Sequence, residues 1–446
     1  MGDASTSATE LAPATEYAAR FSGGRVRQLV LCTIAMMAIS SPQYVWTLFV
    51  KPLEARLGLG LAQVQVTFSL LVLFQSLCSP FQGFVGEKLG PRRLVFAGGL
   101  FLAASWLGAA RAASPLALYL TYGVLGGIAT GAVYIAAIGL MANWFPDRRG
   151  LAMGIVAAGY GCGAIFTTGP IAMMLGGRGL THTLALVGVA LGAVACMSAL
   201  GLARAPAGLD AALAGERGGH PTAAVVNVSP AQMLKTQLFW LLFAMMSMMC
   251  AGGLMIVSQM AVFAADLGVA AAQVLGFSAL PLALSIDRVA NGLTRPAFGW
   301  LSDRIGRENT MALAFSFEAL AVALFWVYGG QPLLFVAISG FAFFAWGEIF
   351  SLFPALLTDI FGTAHATANY GFLYLSFGVG SLIGAPLSGL IRERSGSWLP
   401  VFAAVVALNL GSAALALLAL KPMRRRWRND WHCAARPATP QPEQAA

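Results

Sequence analysis

Long, unbroken apolar blocks constrain this chain more than any other feature. Several run past the roughly 18 to 20 residues that a helix needs to cross about 30 Å of hydrocarbon. The blocks are continuous and do not alternate, so they predict helices and not a membrane barrel. Composition agrees: 58% of residues are hydrophobic and 10% charged, too few charges to cover a soluble surface. A soluble domain is excluded.

Residues 1–27 are rich in Ala, Ser and Thr and read as a disordered tail. The first apolar run spans about 28–50. Ala38-Ile39-Ser40 resembles a signal cleavage site, but the run continues through Trp46 to Phe49, so a retained helix is expected. Further segments are expected near 63–86, 94–113, 115–143, 150–175, 181–203, 238–262, 271–300, 310–329, 331–361, 368–391 and 398–420. The one long polar stretch, 204–237, divides the chain. The expected organisation is a six-helix bundle over 28–203, a linker over 204–237, a second six-helix bundle over 238–420 and a basic tail over 421–446.

Lys and Arg in short loops set orientation. With both termini in the cytoplasm, the cytoplasmic side holds about three times as many cations as the other. The net charge of +9 is explained by these helix-end cations, and a nucleic-acid partner is not expected. The expected setting is a bacterial-type inner (plasma) membrane, with the chain a monomer. The short basic tail suits anionic lipid headgroups. The six cysteines show no C-x-x-C and no zinc spacing, and no metal or cofactor is expected.

An internal repeat is present. Gly83-Phe84-Val85-Gly86-Glu87-Lys88-Leu89-Gly90-Pro91-Arg92-Arg93 follows the second segment, and Gly299-Trp300-Leu301-Ser302-Asp303-Arg304-Ile305-Gly306-Arg307 follows the eighth. From Gly83 to Gly299 is 216 residues, and Tyr134 and Phe350 keep that offset. Glycine permits close helix approach, and the acids Glu87 and Asp303 can cap a helix N-terminus or pair with a loop cation such as Arg92 or Arg304. Parallel six-helix repeats are the trace of two bundles about an axis normal to the membrane. In these residues the chain resembles the major facilitator superfamily. The resemblance implies an all-α fold of twelve transmembrane helices whose halves rock against each other.

Charge inside a membrane helix is costly and marks function. Asp287, Arg288 and Arg295 fall in the eighth segment, Glu318 in the ninth and Glu348 in the tenth. At about 1.5 Å per residue, Arg295 sits roughly 12 Å from Asp303, near mid-membrane. Arg295 reads as a bidentate ligand for an anion, or as the permanent partner of a buried acid. Arg288 shares its face at i, i+7 and is open to neutralisation by Asp287 or Glu318. Glu348 reads as a proton carrier or a structural hydrogen-bonding residue. Tyr44, Trp46, Tyr134, Tyr160, Trp346, Phe350, Tyr374 and Phe377 lie where helices would line a central cavity, with core packing the plainer reading for any one of them.

Several stretches resemble the oxalate:formate antiporter family within that superfamily: Pro42-Gln43-Tyr44-Val45-Trp46-Thr47-Leu48, Ala142-Asn143-Trp144-Phe145-Pro146-Asp147-Arg148-Arg149-Gly150, Ala158-Gly159-Tyr160-Gly161, Asn291-Gly292-Leu293-Thr294-Arg295-Pro296 and Leu352-Phe353-Pro354. The resemblance covers about 28–420. It implies that Arg295 clamps a substrate carboxylate and that Gln43, Tyr44, Tyr134, Tyr160 and Trp346 line the cavity, with Phe350 and Tyr374 at two more aromatic positions. The family has a helix-11 lysine for the second carboxylate of oxalate, where this chain has Phe377. A dianion facing one cation in low dielectric keeps uncompensated charge. The expected cargo is therefore a small monoanion such as formate or lactate, unless Arg288 faces the cavity unpaired.

The expected activity is secondary active transport of small carboxylates by exchange. A proton-coupled monocarboxylate symporter, with Asp287 as the titrating group in the manner of monocarboxylate transporters, is the alternative. A non-transporting membrane receptor is a third reading, disfavoured because no signalling domain is expected. No nucleophile–base spacing or P-loop suggests an enzyme.

Overall fold

A computed structural model describes residues 14–206, 209 and 227–434. Eight of its helices are long and apolar enough to cross a membrane alone. Two bent pairs make one span each: Gly23–Tyr44 with Trp46–Leu57, bent by 43°, and Leu61–Leu77 with Ser79–Leu89, bent by 49°. The long helix Arg149–Leu200 is two spans, because Gly179 at φ 74° breaks it. The remaining helix, Ala279–Ile305, has the length of a span but carries Asp287, Arg288 and Arg295 in its middle. Twelve membrane-spanning helices result, and ordinals below refer to them in chain order.

Proline and glycine explain most of the breaks. Pro42 lies just before the bend of the first span, and Pro80 just after that of the second. The tenth span is interrupted between Pro332–Trp346 and Ile349–Phe361. There Gly347 brings the chain so near the eighth span that an added Cβ would lie 2.8 Å from the Asn291 carbonyl oxygen. The turns after the second and eighth spans need glycine for a different reason. Gly90 (φ 88°) and Gly306 (φ 92°) sit in the left-handed half of φ/ψ space, where a side chain is strained.

Two details differ from expectation. The first helix begins at Ala14, well before its apolar run, so residues 14–27 are not a disordered tail. Arg25 holds it there by pairing with Asp147, while its guanidinium lies 4.6 Å from the centre of the Phe145 ring. The eighth span begins at Ala279 rather than near 271. Its first expected residues form a hairpin, Gln273–Val274 with Phe277–Ser278, turned at Leu275 and Gly276. Residues 1–13, most of the expected linker and residues 435–446 lie outside the described residues.

The halves meet tightly at the end bearing the repeated motifs. Cβ atoms built on Gly83 and Gly371 would lie 2.6 Å from Ala368 Cα and 2.9 Å from Ser79 carbonyl carbon respectively. Gly299 meets Gly150, and Gly154 meets the Arg295 carbonyl. Asp303 caps the fifth span from the other half, accepting from the N–H groups of Gly150 (3.1 Å) and Leu151 (2.9 Å). Glu87 is its counterpart, accepting from Ala368 N–H at the start of the eleventh span and from His365, each at 3.0 Å. The cations of this junction are Arg149 and Arg307, which both pair with Asp359. Arg92 is exposed, and Arg304 stacks over Trp300 at 4.0 Å.

Candidate functional site

Between the halves, at the depth of Arg295, lies a cavity of about 90 Å³. Every residue nominated for it from sequence by family match lines it: Arg295, Gln43, Tyr44, Tyr134, Tyr160, Trp346, Phe350, Tyr374 and Phe377. Asp287 and Arg288 line it as well. Glu348 does not, and the motif residues Gly83, Glu87, Arg92, Gly299, Asp303 and Arg304 stand at the closed end. Trp46 is a correction. It packs against Tyr122 (4.9 Å) and Phe68 (6.5 Å) within the first bundle, because the break at Val45 separates its helix from the one bearing Tyr44.

The aromatic rings form a continuous wall. Tyr134 stacks on Tyr374 at 5.0 Å and meets Tyr160 edge-on at 5.4 Å. Phe377 touches both Phe350 and Tyr374 at 5.5 Å, and Trp346 meets Phe350 at 6.1 Å. Tyr134 and Phe350, the residues matched by the repeat, face each other at 6.5 Å. Hydrogen bonds fix part of this wall. Gln75 donates to the hydroxyls of Tyr160 and Tyr374 at 3.2 Å each, tying the two halves together, and Tyr160 donates to Gln43. Sequence reasoning passed over Gln75, whose signal is a fully buried amide in an apolar helix.

Arg295 is 1% exposed. Its Nη1 donates to the Ala157 carbonyl at 2.6 Å and its Nη2 to Asn291 Oδ1 at 3.0 Å. Its Nε has no partner, and the guanidinium lies 4.9 Å from the centre of the Phe350 ring. Among the described residues no carboxylate forms an ion pair with it. The permanent buried pair, one of the two readings of this residue, is not made. Arg288 makes no ion pair among the described residues either, so the condition under which a second cation could serve a dicarboxylate is met. Asp287 is buried beside Ser339 of the tenth span, and neither carboxylate oxygen makes a hydrogen bond. The arrangement is an aromatic box with a cation prepared for an anion.

Twelve spans in two motif-matched halves around a central charged cavity define a polytopic membrane transporter. The Major Facilitator Superfamily model matches residues 29–286 and 281–440, and the chain belongs to that superfamily. It is 33% identical to the oxalate:formate antiporter of Oxalobacter formigenes over 416 residues, 93% of this chain and 96% of that one. It is 27% identical to monocarboxylate transporter 13 of Rattus norvegicus, over 80% of each chain. A solved proton:xylose symporter shares the fold, with a TM-score of 0.66 at 14% identity, covering 90% of this chain and 96% of that one.

Proposed function

We propose that this protein carries small carboxylate anions such as formate, lactate or oxalate across the membrane, seating the carboxylate on Arg295. The observation that carries this reading is a buried guanidinium that has no ion pair among the described residues and an unused Nε. A buried charge without a counter-ion is strongly destabilising, and an arriving carboxylate supplies one in bidentate geometry. The surrounding ring edges carry positive potential and exclude water, which strengthens that bond. The likeness to the oxalate:formate antiporter supports the same substrate class.

Exchange is the mode proposed. An empty cavity with Arg295 uncompensated resists closing, so the carrier returns loaded. The motif end faces the cytoplasm of a bacterial-type plasma membrane, in accord with the bias of loop cations. The test is uptake of radiolabelled formate, lactate and oxalate into proteoliposomes preloaded with unlabelled anion. Arg295→Gln removes a charge-assisted bond of about 1.5–3 kcal/mol, so exchange is expected to fall about 10- to 100-fold. Undiminished anion exchange in Arg295→Gln overturns the assignment.

A further inference from the structure

The eighth span carries a second cation that a seat on Arg295 alone does not explain. Arg288 lines the same cavity, roughly 10 Å along the helix from Arg295 and nearer the end away from the motifs. It is half-buried, and among the described residues it makes no hydrogen bond, ion pair or ring contact. The helix gives it this direction. Ile286, Val289 and Leu293 are exposed on the face turned to lipid, whereas Arg288, Asn291 and Arg295 line the cavity.

Neither acid that could neutralise Arg288 pairs with it. Asp287, the preceding residue, lies about 100° round the helix and is buried beside Ser339 of the tenth span. Glu318 of the ninth lines a separate void of about 10 Å³ behind Phe343 and Trp346. Leu254 and Val257, from the last turn of the seventh span, and Phe343 of the tenth give the cavity apolar walls. Walls of low dielectric focus the field of a charge between them and raise the local concentration of the opposite ion. The two arginines differ in strength as seats. Arg295 is buried, so a bond to it is little screened, while Arg288 meets water and holds an anion weakly. That order suits movement, because a way-station must bind enough to admit an ion and still release it.

We propose that Arg288 is a separate anion site at the mouth of the cavity, which captures small carboxylates arriving from the end away from the motifs and delivers them to Arg295. This rests on Arg295 being the seat of the anion. Capture needs a positive charge and not a planar fork, since the anion is steered to this site and does not stay. An anion entering from the motif end reaches Arg295 without passing Arg288. The two approaches to the seat are therefore unequal, and loss of Arg288 weakens one of them. A permanent clamp on the same cargo would act from both ends.

The experiment uses the full chain in membrane vesicles of both orientations from expressing cells, loaded with saturating unlabelled lactate. The end that faces outward in each preparation is identified with an impermeant maleimide on a cysteine placed at Asn143, at the motif end. Labelled lactate is varied outside, and its half-saturating concentration is read. In Arg288→Gln this concentration is expected to rise about tenfold from the end away from the motifs, the lower range of what focused charge adds to association. From the motif end the rise is expected to be several-fold smaller. Arg288→Lys is expected to restore the wild-type value. In wild type, raising ionic strength should raise the half-saturating concentration chiefly from the Arg288 end, and this decides the matter if Arg288→Gln does not fold. The proposal is overturned by an equal rise from both ends in Arg288→Gln, by no rise from either, or by Arg288→Lys behaving as Arg288→Gln. A wild type whose two ends respond alike to ionic strength overturns it as well. Undiminished exchange in Arg295→Gln removes the anion seat and this site with it; lost exchange there, with Arg288→Gln behaving as wild type, removes this site alone.

Discussion

At the scale of single residues, Phe377 and Arg288 pull the choice of cargo in opposite directions. Phe377 is 4% exposed and packs its ring against Phe350 and Tyr374, where a second cation would serve a dianion. Arg288 restores a second cation to the cavity, roughly 10 Å along the helix from Arg295 at 1.5 Å per residue. Oxalate, whose carboxylates adjoin, is too short to bridge that distance without movement. Wild type is therefore expected to prefer lactate over oxalate. Phe377→Lys should raise oxalate uptake about tenfold relative to lactate, the effect of one charge-assisted bond of about 1.5–3 kcal/mol less the cost of burying the amine. Competition of both anions against labelled lactate measures the ratio. An unchanged ratio in Phe377→Lys, or a wild type that favours oxalate, would transfer the role of second clamp to Arg288, and Arg288→Gln should then abolish that preference.

At the scale of elements, the doubled motif resolves into two crossed helix caps. Asp303 neutralises the N-terminus of the fifth span and Glu87 that of the eleventh, each from the opposite half. These bonds exist only while this end is shut, so weakening one should open it without unfolding a bundle. Asp303→Asn loses charge at the cap and the Arg307 pair at 2.6 Å. A partly buried charge at a helix end contributes up to about 2 kcal/mol, which shifts the open fraction by up to about 30-fold. A cysteine introduced at Asn143, in the cavity of about 250 Å³ at this end, should alkylate faster in that variant. Equal alkylation rates would sink the idea that the caps hold this end closed.

The same elements show what sequence could and could not reveal. The aromatic wall was legible because Tyr134 and Phe350 repeat at one offset and each helix of the repeat turns the same face inward. Arg295 was legible because a charge amid apolar residues has no bland explanation. Trp46 misled because a one-residue break at Val45 turns its helix away from the cavity, and single-helix periodicity cannot foresee such a bend. The clustering of Glu318, Glu348 and Asn409 was hidden for a similar reason. The three lie on different spans, and only packing sets Asn409 beside Glu318 and Glu318 behind Trp346. Hairpin residues 273–278 read as the start of a helix because Val274 and Phe277 are apolar, whereas Leu275-Gly276 with positive φ turns the chain back.

At the scale of the whole molecule, the two halves touch from the motif end to mid-depth. Close glycine contacts across the interface run from Gly83 and Gly299 as far as Gly161 with Gly292, and Gly378 with Ser76. From Arg295 the cavity continues along the eighth span toward Arg288, away from that closed end. If transport proceeds by rocking, fastening the closed end must stop movement of cargo while leaving its seat reachable from the other side. A disulfide between cysteines placed at Ser76 and Gly378, where that contact ends, is suited to this, since a Cβ at position 378 would lie 3.1 Å from Ser76 Cβ, near disulfide spacing, and the closer Ser76 Oγ is the atom the substitution replaces. Oxidation is expected to abolish lactate exchange in vesicles, and reductant to restore it. Lactate should still quench the fluorescence of Trp346 in the oxidised protein, measured against a Trp346→Phe control. Continued exchange by the crosslinked carrier would mean that cargo crosses without separation of the halves at this end, and alternating access about the motif contacts would have to be abandoned.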